Sequence, residues 1–317
     1  MPNSPQPVVS VLIATYNRPL GLDRAIKSVL AQQFTNWELL ILHDGESADT
    51  VAVAEEWQRK DPRIRYLHRG EPDGIAAALN FGFEHARSRY IAILDDDDLW
   101  IDPEKLGLQT EFLEANPSYV ACGGGSIVID EGGRETMRYL KPQDDCEIRR
   151  GFLVANPIIH STVVFRSSAV RSLGGYDRTL RGFQDWDLWL RLGTYGKFYN
   201  FQKYFTGYMI WNSGGSATST RSNAQSAMRI VLRHRSEYKH FAEAFLLACG
   251  YRAYASLPGP LRRVTFGPLS RLKKKVFSVR PTGQLAAETK LRITINAIAP
   301  SDSPTETEES SLLTHES

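Results

Sequence analysis

The chain lacks cysteine pairs and a charge bias. Its 317 residues contain three cysteines, Cys122, Cys146 and Cys249, which lie far apart in no paired spacing. This argues against a disulfide framework and a zinc site, and is typical of proteins from a reducing compartment. Lysine and arginine exceed aspartate and glutamate by 38 − 36 = 2. The net charge therefore gives no reason to expect a nucleic-acid partner.

Long apolar runs and targeting signals are also missing. Residues 1–7 form a polar, proline-rich extension with no basic stretch before an apolar core, so we expect no secretory signal. The most apolar late stretch, 241–255, contains Glu243 and Arg252 and is too short to span a bilayer. With 42% apolar and 23% charged residues, the chain is not wholly disordered. We expect a soluble, cytoplasmic protein.

Two nucleotide-binding fingerprints are absent. No Gly-x-x-x-x-Gly-Lys-Ser/Thr sequence occurs, which excludes a P-loop protein. The glycine cluster at 122–126 has neither the spacing nor the early position of a dinucleotide fingerprint, and we interpret it as strand and turn.

Buried strands alternate with helices in residues 8–130. Residues 8–13 and 39–42 are almost entirely apolar, as in strands buried on both faces. An apolar stripe at helical spacing lies between them, formed by Leu22, Ala25, Ile26, Val29 and Leu30. Further helices are predicted at 50–59 and 74–86, with strands at 64–67 and 90–94. This alternation predicts an α/β fold with a doubly wound, mostly parallel sheet flanked by helices.

The pattern changes along the rest of the chain. Residues 131–220 are less regular, with a helix at 184–192 and strand-like runs at 161–165 and 198–210, and we interpret them as the second half of the same domain, 8–220. Residues 221–280 are predicted to form a helical, basic appendage. Its stretch 252–280 has eight lysines and arginines and no acid. The acidic, Ser/Thr-rich tail 281–317 is predicted to be disordered.

Three predicted strands end in polar residues. The first ends in Thr15, Tyr16 and Asn17, the second in His43 and Asp44, and the fourth in aspartates 95–98. In an open parallel sheet, ligands bind outside the carboxyl ends of the strands. We therefore expect these side chains to converge on one rim.

The four consecutive aspartates suggest a cation site. In an extended chain Asp95 and Asp97 would point to one side, and Asp96 and Asp98 to the other. Crowded carboxylates raise each other's pKa unless a cation neutralises them, and Mg²⁺ or Mn²⁺ held partly by phosphates suits oxygen ligands. Helix capping is the alternative, but Asp102 already serves as a predicted cap.

Each of three other acids has a structural interpretation, and two of them also have a functional one. Asp44 either forms an Asp-Gly turn or accepts hydrogen bonds from a nucleobase or ribose. Asp185 lies in line with the apolar stripe of the helix 184–192, near its N-terminus, where a carboxylate is either a cap or a base; the residues alone favour the cap. Asp187 is four residues before Arg191 and is predicted to form a surface ion pair.

These motifs together resemble the family 2 glycosyltransferases, which have the GT-A fold. The resemblance runs from about residue 8 to 217. It is carried by the segments 9–18, 28–33, 37–45, 78–82, 90–98, 173–177 and 184–191. It implies that 8–130 is a nucleotide-binding half, that 131–220 is an acceptor half, and that the chain is an inverting, metal-dependent sugar transferase.

The resemblance also implies roles for individual residues. Asp44 corresponds to the acid that hydrogen-bonds the base of the donor. Asp97 is the first candidate ligand of Mg²⁺ or Mn²⁺, with Asp95 and Asp98 next. Asp185 corresponds to the general base. The expected nucleotide-sugar contacts are Ala14, Thr15, Tyr16, Asn17, Asp44, Asn80, Asp95 and Asp96. His160 and Trp186 are placed on the acceptor side, although His160 could equally be structural.

Several positions depart from the family pattern. His43 replaces the first acid of an Asp-Asp pair, Ala14 a common proline, and Gln184 a glutamate. Leu79 stands where arginine is frequent, and residues 211–213 lack a histidine found in many relatives. Because Asp97 and Asp185 are retained, we expect an active enzyme.

The expected partners are a nucleotide-sugar donor, in the first place a UDP-sugar, and a glycan or lipid-linked acceptor. Two rival hypotheses are an inactive nucleotide-sugar-binding protein of the same fold and another nucleotide enzyme, a dehydrogenase or sugar nucleotidyltransferase. Residues 252–280 either rest peripherally on the cytoplasmic membrane face or form a solvated basic surface.

Overall fold

The computed structural model describes residues 6–130, 134–209, 220–259, 261–262 and 264–265. Its first half is a parallel sheet. The strands are β1 (Val9–Thr15), β2 (Trp37–His43), β3 (Ile64–His68) and β4 (Tyr90–Ile93), and they pair in the order β3-β2-β1-β4. The connecting helices are α1 (Pro19–Leu30), α2 (Ala48–Lys60) and α3 (Ile75–His85). These elements agree with the predicted alternation to within a few residues.

The sheet is buried on both faces because side chains alternate along each strand. Val11 and Ile13 of β1 pack with α1 on one face, whereas Leu12 packs with α3 on the other. This explains why β1 is a continuous apolar run rather than an alternating pattern.

The second half extends the same sheet with mixed pairing. Its strands are β5 (Asp98–Trp100), β6 (Tyr119–Ile129), β7 (Glu135–Tyr139), β8 (Val164–Arg166) and β9 (Lys197–Met209), and its helices are α4 (Lys105–Ala115), α5 (Asp145–Gly151), α6 (Ser167–Ser172) and α7 (Gln184–Leu192). The order continues β4-β8-β6-β9-β5, with β7 beside β6. Pairing is parallel for β6–β9 and antiparallel elsewhere in this half. The predicted α/β class with helices flanking one sheet is confirmed.

One strand begins later than expected. Residues His160–Thr162 form a 3-10 turn, and the strand starts at Val164 rather than at 161. The hydroxyl of Thr162 donates to the carbonyl of Ile159 at 2.8 Å. Such a local bond competes with the strand conformation and favours a turn.

Two C-terminal helices, α8 (Thr220–Arg233) and α9 (Phe241–Ser256), pack against the domain. Ile230 of α8 and Ala244 of α9 belong to the same buried cluster as Trp189 of α7. Among the residues described, no helix is long and apolar enough to cross a bilayer. Residues 211–213, most of the basic stretch and the tail 281–317 lie outside the described residues.

Candidate active site

Thr15 connects the three strand ends. Its backbone carbonyl accepts the N–H of Asp44 at 3.0 Å. Its hydroxyl donates to Oδ2 of Asp96 at 2.7 Å. The polar ends of β1, β2 and β4 therefore lie at one rim, because parallel strands place their carboxyl ends on the same edge of the sheet.

The four aspartates form a turn, not an extended strand. β4 ends at Ile93, and the N–H of Asp98 donates to the carbonyl of Asp95 at 3.0 Å. The predicted alternation of side chains was therefore wrong. Asp96 and Asp97 both contact Nη1 of Arg18, at 3.1 and 2.7 Å.

The helix that follows β1 is packed tightly against this turn. Gly21 of α1 faces the carbonyl oxygen of Asp96, and a Cβ at this position would lie 2.4 Å from that oxygen. Glycine is needed here for the close approach. The start of α1 and the aspartate turn are therefore fixed relative to each other.

Asp95 and Asp98 have different surroundings from their neighbours. Oδ1 of Asp95 is 2.9 Å from Nδ1 of His160, and its Oδ2 accepts the hydroxyl of Ser161 at 3.0 Å. Asp98 is buried, and its Oδ1 has no hydrogen-bond partner among the described residues. Asp95 is thus neutralised locally and Asp98 is not.

The pKa values of the aspartates follow from this uneven compensation. Burial, followed by the charges of neighbouring aspartates, raises the pKa of Asp96 to about 6. The same causes raise the pKa of Asp97 and raise that of Asp98 well above its usual value. For Asp95, burial is outweighed by His160 and Ser161, and the pKa is lowered. The turn as a whole carries more negative charge than its neighbours balance.

The carboxylate of Asp44 binds the loop between β3 and α3. It accepts the backbone N–H groups of Asp73 at 3.0 Å and Gly74 at 2.6 Å, and Nη1 of Arg69 is 3.5 Å away. Asp44 therefore orders a segment that is about 30 residues away in the sequence.

His160 links the aspartate turn to Asp185. Its Nε2 is 2.9 Å from the hydroxyl of Tyr176. Burial would lower the pKa of His160, but the charges of Asp95 and then Asp185 outweigh burial and raise it. The charges of these two carboxylates thus favour the protonated form of His160.

Asp185 is in the first turn of α7 and is partly buried. Its Oδ2 accepts the side-chain amide of Asn156 at 2.6 Å. Burial raises the pKa of Asp185, and the nearby His160 opposes this shift. The carboxylate of Asp185 therefore has one oxygen held by an amide and a raised pKa, and both features suit a general base.

The other predicted site residues differ in exposure. Tyr16 is 59% exposed, and Ala14 is half-buried. Asn17 has φ 54° and accepts the N–H of Ser47 at 2.9 Å. These three residues lie next to Thr15 at the rim. His43 is buried, with Nδ1 3.0 Å from the hydroxyl of Tyr66.

Asn80 and Trp186 are in supporting positions. The Asn80 amide binds the backbone of Tyr176 through both polar atoms, at 2.7 and 2.9 Å. Trp186 is 6% exposed and donates its indole N–H to the carbonyl of Phe152 at 2.7 Å. Asn80 therefore holds the loop that presents Tyr176 to His160, and Trp186 anchors the start of α7.

Asp187 forms the predicted ion pair with Arg191, but the predicted surface position was wrong. Its carboxylate is fully buried and contacts Arg191 and Arg233 at 2.8 Å each and His234 at 3.1 Å. Burial raises its pKa, but His234 and the two arginines outweigh burial and lower the pKa to about 2. The physical reason is α8, which covers this face of α7.

Three further residues contribute to the site. Arg18 directly follows the polar end of β1. A positive charge at that place in the sequence could have identified it as a site residue. Tyr176 lies in the segment 173–177, which also carries the resemblance. Asn156 has no sequence signal, since it reaches Asp185 from a distant loop.

The fit to a divalent cation is partial. In the described part of the chain, no three His, Cys, Asp or Glu side chains are grouped so as to hold a metal ion. Asp97, with 32% of its side chain exposed, and the unpartnered Oδ1 of Asp98 are oxygen donors of the kind that Mg²⁺ and Mn²⁺ prefer. Such ions often bind through one or two carboxylates plus phosphates, so a cage of three is not required.

A family model and a similar protein identify the family of this chain. The family model described as glycosyl transferase family 2 matches residues 10–174. EpsE of Bacillus subtilis, which bears a glycosyltransferase's name, is 35% identical over 207 residues, covering 64% of this chain and 70% of EpsE.

Two solved structures share the fold. TarS 1–349 of S. aureus in complex with UDP-GlcNAc has a TM-score of 0.60 at 14% identity, covering 84% of this chain and 77% of that one. The mannosyltransferase PcManGT of Pyrobaculum calidifontis, in complex with GDP-Man and Mn²⁺, has a TM-score of 0.57 at 16% identity, covering 84% and 81%.

Proposed function

Because the chain belongs to glycosyltransferase family 2 and is a glycosyltransferase, we propose that it transfers a sugar from a nucleotide-sugar to a hydroxyl group, with inversion at the anomeric carbon. The donor is a UDP-sugar in the first place, and the acceptor is a glycan or a lipid-linked saccharide. The observation that carries this proposal is the connected series of polar groups from Asp44 through Thr15 and the aspartate turn to His160, with Asp185 nearby.

The donor side is formed by Asp44, Tyr16 and the aspartate turn. Asp44 recognises the base. To do so, its carboxylate releases the backbone N–H of Asp73 or Gly74 and accepts a hydrogen bond from the base of the nucleotide-sugar instead. The exposed ring of Tyr16 offers an apolar face for stacking on the base. Asp96, held by Thr15, is placed to accept a hydrogen bond from the ribose.

A divalent cation would be held by Asp97 first, with Asp95 and Asp98 as further candidates. When bound, Mg²⁺ or Mn²⁺ supplies positive charge that stabilises the departing diphosphate. Asp97 is preferred because both oxygens of Asp95 already have partners in His160 and Ser161, and because Asp98 is buried. A mannosyltransferase of the same fold was solved in complex with GDP-Man and Mn²⁺, which supports the use of a divalent cation.

On the acceptor side, Asp185 removes the proton from the attacking hydroxyl. Asn156 holds Oδ2 of the carboxylate, and the backbone N–H of Trp186 also donates to this side chain. The raised pKa makes the carboxylate a better proton acceptor than an ordinary aspartate. The nearby His160 favours the ionised form of Asp185. The attacking oxygen then displaces the nucleoside diphosphate in line, and this inverts the anomeric carbon.

Residues 252–280 are proposed to contact an anionic membrane surface. Leu261 and Val264 are 53% and 78% exposed and flank Arg262 and Arg263 in the sequence, a combination that suits an interfacial segment. Co-flotation of the full chain with anionic vesicles tests this. The idea fails if substituting the lysines at 273–275 leaves flotation unchanged.

A thermal-shift screen of nucleotide-sugars with and without Mn²⁺ tests the main proposal. A bound donor stabilises the fold by mass action, so the preferred base and sugar raise the Tm in the presence of Mn²⁺. Mn²⁺ alone and free UMP serve as controls. Release of nucleoside diphosphate should accompany binding. Binding without turnover across a broad donor panel would instead indicate an inactive protein that retains the fold.

A further inference from the structure

Arg18 is the cationic residue that binds the exposed side of the aspartate turn. A single nitrogen, Nη1, lies 3.1 Å from Oδ1 of Asp96 and 2.7 Å from Oδ2 of Asp97. Arg18 thus bridges two neighbouring carboxylates, which is the arrangement that a small cation would adopt between them.

We propose that Arg18 takes the place of the divalent cation on Asp97 in the metal-free protein and moves to the donor's diphosphate when metal and donor bind. This inference rests on the proposed function. Arg18 would then have two opposite effects: it competes with the metal for Asp97, and it attracts the diphosphate of the nucleotide.

The contacts of Arg18 allow this exchange. Its side chain is 46% exposed and that of Asp97 is 32% exposed, so their ion pair is accessible to water and easily broken. Asp96 differs, because only 8% of its side chain is exposed and the hydroxyl of Thr15 holds it independently. Loss of Arg18 therefore frees Asp97 while Asp96 keeps a partner.

The backbone keeps Arg18 close to the site after the exchange. The N–H of Leu22 donates to the carbonyl of Arg18 at 3.0 Å, and Gly21 packs against the carbonyl of Asp96. The start of α1 cannot move away, so the guanidinium changes partner by side-chain rotation. A guanidinium has five N–H donors in a plane and binds phosphate oxygens in pairs. A diphosphate held through a cation at Asp97 would be within reach of Arg18.

The test is to measure the affinity for Mn²⁺ alone and then for UDP at saturating Mn²⁺, using the full chain and its Arg18→Gln variant. Mn²⁺ binding is followed by electron paramagnetic resonance of the free ion, and UDP binding by calorimetry. We expect Arg18→Gln to bind Mn²⁺ about fivefold more tightly, since an exposed ion pair no longer competes. We expect it to bind UDP about tenfold more weakly, since a charge-assisted contact is lost.

Two variants serve as controls. Arg59→Gln removes the same charge from an exposed position on α2 and should change neither affinity more than about twofold. Arg18→Lys keeps the charge but loses the planar fork, so its Mn²⁺ affinity should stay near that of the parent and its UDP affinity should fall less than in Arg18→Gln.

Three results would overturn the inference. Unchanged Mn²⁺ affinity in Arg18→Gln removes the competition. Weaker binding of both Mn²⁺ and UDP, with a lowered Tm, means that Arg18 only supports the turn. If UDP binds equally with and without Mn²⁺ in every variant, the proposed metal dependence fails and the inference fails with it, a pattern distinct from the other two.

Discussion

The molecule contains two acidic clusters that differ in how their charge is balanced. The aspartate turn, Asp95–Asp98, brings four carboxylates together with Arg18 and His160 as their cationic partners. The α7–α8 cluster places the single buried carboxylate of Asp187 against Arg191, Arg233 and His234. The first has an excess of negative charge. In the second, Asp177 also pairs with Arg233 and Glu237 with His234, so that its carboxylates and its cationic groups are close to balance.

The pKa values record this difference. Burial and mutual repulsion raise the pKa of Asp96 to about 6, whereas the pKa of Asp187 is lowered to about 2. A carboxylate with a lowered pKa stabilises the folded state when ionised, and one with a raised pKa destabilises it. The α7–α8 cluster therefore supports the fold, and the aspartate turn retains the uncompensated charge that a cation and a donor would neutralise.

Helix α7 joins the two regions. Asp185 and Asp187 are two residues apart, about 200° around the helix, so they face different surroundings. Asp185 points toward His160 and the aspartate turn, and Asp187 is held by α8. The helix that carries the proposed base is thus anchored on its other side by a buried ionic network.

The largest effect is expected for Asp185→Asn. Without a base, kcat for sugar transfer should fall about 10³-fold, within the range for loss of general-base catalysis. UDP binding should change less than about twofold, because Asp185 does not contact the donor-side residues. Steady-state transfer assays and calorimetry measure the two quantities. Near-normal turnover would exclude Asp185 as the base.

For Asp187→Asn we expect the opposite result, a loss of stability rather than a loss of turnover. Removing this carboxylate leaves Arg191, Arg233 and His234 without their buried counter-charge, which should lower the free energy of unfolding by about 3 kcal/mol. Urea denaturation measures this loss, and Asp185→Asn is the matched control, with an expected change below about 1 kcal/mol. Equal stabilities of the two variants would remove the distinction between the clusters.

The acid side of the stability profile should also depend on Asp187. Its pKa is about 2 in the folded protein and 3.8 ordinarily. Its stabilisation is therefore fully present above about pH 4 and is lost as the pH falls toward 2, in total about 2 kcal/mol. Urea denaturation from pH 5 to pH 2 should show this loss in the parent chain and not in Asp187→Asn. Parallel profiles would mean that other carboxylates control acid unfolding.

Sequence periodicity was sufficient for the parallel half of the sheet and for the convergence of its polar strand ends. The apolar runs of β1 and β2 and the stripe of α1 predicted these elements, and the rule that parallel strands share one rim brought Thr15, Asp44 and the aspartates together. These features depend on local patterns, which a sequence carries directly.

Long-range packing could not be predicted in the same way. The burial of Asp187 depends on Arg233 and His234, 46 and 47 residues later, and the partners of Asp44 are 29 and 30 residues away. The apolar stripe of α7 assigned Asp185 to the inner face and Asp187 to the surface, but most of α7 is buried and Asp187 is the more buried of the two. Periodicity indicates which positions are apolar and does not say which element covers them.

The smallest effect is expected for Asp97→Asn, which tests the aspartate turn directly. In the presence of Mn²⁺, UDP binding should weaken about tenfold, equivalent to about 1.4 kcal/mol, because the preferred cation ligand is lost. Without Mn²⁺, UDP binding should change less than about twofold. The Tm should not fall, because the substitution removes one of the mutually repelling charges that raise the pKa of Asp96. Calorimetric titration with and without Mn²⁺ measures the difference. An unchanged titration with Mn²⁺ would assign the ligand to Asp95 or Asp98, and a lowered Tm would mean that the ion pair with Arg18 stabilises the fold by more than the repulsion among the aspartates destabilises it.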